Sequence, residues 1–139
     1  MKEERLKVFA VVLLALMAMN SRQLLAGDEK SQTISFKDEV YPIVKKNCLP
    51  CHAEDNFNPS ELSLDTYELM KQGGQNGATW VAGDSKKSIL VQKLLEEPPF
   101  DARMPMNSKK KIKEGKAKWL AAEEIKLIAD WVDQGAKDN

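Results

Sequence analysis

The sequence is short of the residues that build most metal and disulfide sites, with two cysteines and one histidine among 139 residues. A structural zinc site takes four ligands, typically Cys or His, so these three residues could complete one only with carboxylates. No internal repeat is present, which excludes solenoid and propeller architectures. No stretch alternates apolar and polar residues in the manner of a half-buried strand. Surplus charge is also missing, since 21 basic residues balance 21 acidic ones. Duplex nucleic acid binding leans on phosphate neutralisation by Lys and Arg, so nothing here proposes a nucleic acid partner.

Long apolar runs are confined to one place. Lys2, Arg5 and Lys7 give a basic start, diluted by Glu3 and Glu4, and Val8 to Met19 is then unbroken apolar sequence. That pattern matches a secretory leader, and a membrane-spanning helix needs about 20 such residues. Residues 1–26 read as a signal peptide, with Leu24-Leu25-Ala26 before Gly27 as an imperfect cleavage site; an uncleaved N-terminal anchor is the rival reading. The expectation is an exported, periplasmic protein, soluble or N-terminally anchored, with residues 27–139 as one domain. Without residues 1–26 the chain keeps 17 basic and 19 acidic side chains, a net of −2.

What remains reads as all-α. Ser35 is placed to cap a helix whose apolar face is Phe36, Val40, Ile43 and Val44, with Pro42 as a kink or a first-turn residue. That helix runs into Cys48. Asp65 or Thr66 can cap a short helix through Tyr67, Leu69 and Met70, which Gly73-Gly74 ends. Gly74 to Gly83 is expected to be irregular, with Trp80 packing in the core or against a cofactor. Asp84 or Ser85 opens a helix through Ile89, Leu90, Lys93 and Leu94 to about Glu97, stopped by Pro98-Pro99. A last helix runs from near Ala121 to Gly135, with Ile125, Ile128, Ala129 and Val132 on one side and Leu127 and Trp131 widening the stripe.

Cys48-Leu49-Pro50-Cys51-His52 is a CxxCH sequence, the c-type haem attachment pattern. Two thiols on one helical turn can each add to a haem vinyl group, and the adjacent imidazole then serves as proximal iron ligand. The expectation is one covalently bound haem c, held by thioethers at Cys48 and Cys51 and ligated by His52. The same residues have a second reading. Cys-x-Pro-Cys also opens a helix after a strand in thioredoxin-like oxidoreductases, but here the residues before Cys48 read as helix.

With no second histidine, a methionine is the candidate distal ligand. Met70 lies on an apolar helical face and reads as core filling. Met104 sits in an irregular loop stiffened by Pro105 and is the leading candidate for distal ligand in this reading; Met106, two residues on, is the alternative, and an open iron is a third. The lysine run (Lys109, Lys110, Lys111, Lys113, Lys116, Lys118) is either a solvated loop or an electrostatic docking patch for an acidic redox partner.

These features together resemble the planctomycete-type cytochrome c domain, a divergent relative of class I monohaem cytochromes c. The resemblance rests on Phe36 to Val40, Tyr41-Pro42-Ile43, the CxxCH, Leu62-Ser63-Leu64-Asp65, Gly73-Gly74, and Gly83-Asp84 with Ser88-Ile89-Leu90. Arg103-Met104-Pro105 and Ile128 to Ala136 complete it. It implies a small helical cytochrome c fold with terminal helices packed together over the haem, His52 proximal, Met104 distal and Trp131 in helix packing. Met106 stands where the family often has a second proline, and the lysine-rich segment is long. The function expected is a one-electron carrier working with redox protein partners, and not an enzyme. The alternatives are a thiol–disulfide oxidoreductase using Cys48, or a haem sensor with a labile distal ligand. The single CxxCH excludes a di-haem peroxidase.

Overall fold

The computed structural model describes residues 32–139 apart from Phe57 and Pro59. The expected leader, residues 1–26, lies outside the described residues. Thr33–Asn139 form one compact unit. No described helix is long and apolar enough to cross a membrane.

The fold is all-α among the described residues. Ser35 caps the first helical segment, its hydroxyl accepting from the Asp38 N–H at 3.2 Å. A π-helical turn, Phe36–Val40, leads into α1, Tyr41–Asn47. Pro42 accounts for the change of pitch, because it lacks an N–H and its ring crowds the carbonyl four residues back. The chain passes through Cys48 into α2, Leu49–His52. Thr66 caps α3, Tyr67–Gln72, and Gly73 ends it at φ +80°. A side chain at Gly73 would also meet the Gly77 carbonyl oxygen at 2.3 Å, so both its angle and its neighbours require glycine.

The helix expected from Asp84 or Ser85 to Glu97 is instead two short pieces. Asp84 caps a 3₁₀ turn, Ser85–Lys87, and α4 covers only Ile89–Gln92. Ser88 separates them in extended geometry, its hydroxyl donating to the Asp84 carbonyl and accepting from the Val81 N–H, both at 2.8 Å. Serine commonly competes with helix in this way. The lysine run, expected to be loop, contains α5, Lys109–Lys113, capped by Ser108. The last helix, α6, spans Ala122–Asp133, with the Glu124 carboxylate returning to the Ala121 N–H and Gly135 at φ +100° beyond its end.

The first and last helical segments meet through aromatic rings. Phe36 stacks on Trp131 at 5.3 Å, and Tyr41, Tyr67 and Trp80 extend the cluster with neighbouring centroids at 5.2 to 5.6 Å. Each such pair contributes about 0.5–1.5 kcal/mol beyond its area burial. Val40, Val44, Met70, Ile128 and Val132 fill the core around them, as the expectation of Met70 as core filling requires. Trp80 belongs to this cluster and does not line the cleft described next. The Asn139 side-chain oxygen accepts from the Phe36 N–H at 2.9 Å, closing the two ends of the compact unit together.

Candidate functional site

A mostly apolar cleft lies between the CxxCH segment, the 74–79 loop, α4 and the Met104 loop. Its empty space, the solvent-open mouth included, is about 770 Å³. Leu62, Leu64, Ile89, Leu90, Leu94 and Phe100 supply apolar wall. Cys48, His52 and Met104 line it as well, so residues up to 56 positions apart in sequence face one space.

The attachment segment owes its geometry to a single turn of helix. The Cys48 carbonyl accepts from both Cys51 and His52 N–H groups, at 3.0 and 2.9 Å. Cys48 is half-buried and lines the cleft, whereas Cys51, three residues on, is exposed and outside the lining. Burial, with a smaller contribution from the Cys51 thiolate, pushes the Cys48 thiol up to about 11. That is the reverse of an attacking cysteine, whose pKa is lowered. The residues before Cys48 are helical as well, not a strand. Neither feature matches a thioredoxin-like dithiol, which favours the haem-attachment reading.

His52 is oriented through one ring nitrogen. Nδ1 lies 3.2 Å from the Leu62 carbonyl oxygen. A carbonyl can only accept, so this bond needs the proton on Nδ1 and leaves Nε2 as a free lone pair. That is the tautomer a metal-binding histidine uses, with its other nitrogen tethered to a carbonyl. The Asn58 amide donates to the same Leu62 oxygen, and the Leu64 N–H returns to the His52 carbonyl at 2.9 Å. The polar loop after the CxxCH is thereby folded back over the histidine.

The Met104 loop is pinned to the end of α4. The Met104 N–H donates to the Lys93 carbonyl at 2.7 Å, and Arg103 Nε donates to the Leu94 carbonyl at 2.8 Å. Lys93 Nζ donates to the Phe100 carbonyl and lies 4.4 Å from the centre of the Phe100 ring. The carbonyls that the returning loop takes, those of Lys93 and Leu94, lie just past the end of α4, where a longer helix would have used them itself. Met104 is partly buried against the core and faces the cleft, and the Met104–Pro105 bond is cis. Met106 is 71% exposed and outside the lining.

Two cleft residues escaped the sequence reading. Lys93 is buried, and the loss of solvent lowers its ammonium pKa, with Asp101 offsetting part of the effect. Its signal was present, because it interrupts the apolar stripe Ile89, Leu90, Leu94. Thr79 is 2% exposed, and its hydroxyl has no hydrogen-bond partner among the described residues. Nothing local in the sequence marks it.

The donor set fits a c-type haem. Two unpaired thiols stand one helical turn apart, an imidazole offers a free nitrogen, a thioether faces the same space, and the walls are apolar. A buried hydroxyl without a partner on those walls is consistent with an occupant that carries polar atoms. No group of three or more His, Cys, Asp or Glu among the described residues could hold a metal ion by itself. Residues 48–106 match the family model described as Planctomycete cytochrome C. No curated protein and no solved structure matches the chain. The matched segment starts at the first cysteine and takes in His52 and both candidate methionines. The resemblance is thus shown over the residues that line the cleft, and the fold is that of a small all-α cytochrome c-like domain.

Proposed function

We propose that this chain, its segment 48–106 carrying the planctomycete cytochrome C pattern, is an exported one-electron carrier. In this reading a single haem c is attached through Cys48 and Cys51, with His52 as proximal and Met104 as distal iron ligand. The observation that carries it is the convergence of Cys48, His52 and Met104 on one apolar cleft, with Met106 turned out to solvent. Haem, when bound, supplies a reversible one-electron couple.

The chain's residues account for the rest. The Leu62 carbonyl holds the His52 ring in one tautomer, so no proton need move when the iron changes charge. The carbonyls of Lys93 and Leu94 hold the Met104 loop against the cleft, and the apolar walls exclude water. A thioether ligand and an apolar surround both raise the reduction potential. With His52 and Met104 both holding the iron, no site would be left open for a substrate, which favours a carrier over a catalyst. Export rests on the N-terminal apolar run, and the partners are redox proteins.

The test is expression of the full-length chain in a host that matures c-type haem, with spectra of both oxidation states. Covalently retained low-spin haem with the ferric sulfur-to-iron charge-transfer band is expected. Met104→Ala should abolish that band and lower the potential, while Met106→Ala leaves both unchanged. A colourless protein with two titratable thiols would overturn the reading.

A further inference from the structure

Leu62 offers one carbonyl oxygen to two side-chain donors. His52 Nδ1 lies 3.2 Å from it, and the Asn58 amide donates to the same atom. The other end of that amide fixes its orientation, because the Ser60 hydroxyl lies 2.7 Å from Asn58 Oδ1. Oδ1 can only accept, so Ser60 donates to it and the NH2 side is left for Leu62. A carbonyl oxygen has two lone pairs and can serve both partners. The separation to His52 stands at the long end of the range for an N–H···O bond.

The loop has backbone bonds enough to keep its shape without the Asn58 side chain. The Glu61 N–H donates to the Asn58 carbonyl at 3.0 Å, the Gln75 N–H to the Ser60 carbonyl at 2.8 Å, and the Leu64 N–H to the His52 carbonyl at 2.9 Å. Asn58 is also outside the cleft lining, although Ser60 and Leu62 belong to it. Its amide therefore reaches an occupant of the cleft only through the Leu62 oxygen and the His52 ring.

Two donors on one oxygen draw on the same electron density, so each bond is weaker than it would be alone. A weaker acceptor at Nδ1 leaves an imidazole less basic at Nε2, and that basicity tunes a bound metal. We propose that Asn58 is a positioning residue for the redox couple: by sharing the Leu62 carbonyl it weakens the His52 Nδ1–H bond and makes Nε2 a poorer electron donor. This rests on the haem reading, in which Nε2 holds the iron. A poorer donor stabilises the ferric state less than the ferrous state. The amide thus raises the reduction potential, in the same direction as the thioether and the apolar walls.

The experiment compares the haem-loaded protein with Asn58→Leu and Asn58→Ala, by redox titration and by NMR of the diamagnetic ferrous state. Both variants remove the amide donor, and leucine keeps nearly the volume of asparagine. The potential should fall, moving the ferric–ferrous equilibrium several-fold towards ferric. The His52 Nδ1–H proton should move downfield as its bond to Leu62 strengthens, with the ferric sulfur-to-iron band kept. An amide that merely braced the loop would act in the opposite sense: without it the Leu62 carbonyl would stand further from the ring, the proton would move upfield and the potential would rise. That result, a fall in potential with the proton unmoved, or no change in either overturns the proposal. Either variant suffices if the other fails to retain haem. Absence of covalent haem in the unaltered protein is a different failure, and it overturns the functional reading instead.

Discussion

Cys48 and Cys51 share a helical turn and little else. One is half-buried on the cleft, the other exposed. In the haem-free chain this difference sets their chemistry: Cys51 should react with an alkylating reagent first, and Cys48 should ionise only near pH 11. The linkage has a definite sign. Folding raises the Cys48 pKa from 9.0, so the stabilisation is fully present below that pH and is lost as pH rises towards 11. A two-unit shift corresponds to about 2.7 kcal/mol. Denaturant midpoints of the haem-free chain at pH 8 and pH 11, compared with those of Cys48→Ser, isolate the effect. Equal pH sensitivity in both would contradict the burial of Cys48. At this scale the helical turn that carries the CxxCH was legible, because its hydrogen bonds lie within four residues. The choice of Met104 over Met106 was open in the sequence, since two residues of loop can present either side chain. Folding turns one to the cleft and the other to solvent.

Among the elements, the least legible was the segment from Asp84 to Met104. Its apolar spacing suggests one helix, yet Ser88 breaks it and the Met104 loop takes the Lys93 and Leu94 carbonyls just past α4. Arg103 has the central part in that loop. It donates to the Leu94 carbonyl at 2.8 Å, and its guanidinium lies 4.6 Å from the Trp119 ring centre. It thus joins the end of α4, the Met104 loop and the approach to α6. A hydrogen bond from a charged group contributes about 1.5–3 kcal/mol, and a cation–π contact about 0.5–1 kcal/mol at an exposed site. Arg103→Leu should leave the haem covalently attached but weaken retention of the methionine ligand. The charge-transfer band should then disappear at a denaturant concentration well below that of the unaltered protein, ahead of global unfolding. Loss of band and fold together at the usual midpoint would mean that Arg103 does not position the loop.

Over the whole molecule the charge is unevenly placed. Residues 108–118 carry six lysines and one glutamate, while the rest of 32–139 carries 10 basic and 16 acidic side chains. The lysine segment is a closed excursion, its neck fastened where Asn107 and Lys118 exchange hydrogen bonds of 3.0 and 3.1 Å. Lys116 pairs with Glu114 at 3.0 Å, and no ion pair is found for the other five lysines among the described residues. A positive knob on an otherwise negative body, reached directly from the Met104 loop, would orient the protein towards an acidic partner. Reversing Lys109, Lys110 and Lys113 to Glu should slow electron transfer to an acidic acceptor at least tenfold at low salt. The difference should shrink as salt screens it. Rates that do not change at low salt would remove the docking role.

The sequence by itself determined the all-α class, the caps at Ser35 and Thr66, the stops at Gly73 and Gly135, and the helical turn from Cys48 to His52. Each depends on interactions within a few residues. The family resemblance was legible for a related reason, since its motifs are short and local. Only the tertiary structure decided which methionine faces the cleft, that Trp80 packs with Tyr67 and Trp131 and not on the cleft, and that Lys93 and Thr79 are among the residues lining it. Those outcomes depend on which carbonyls remain free after helices end and which loops return to claim them. That competition runs between residues far apart in the chain, and a local pattern cannot express it.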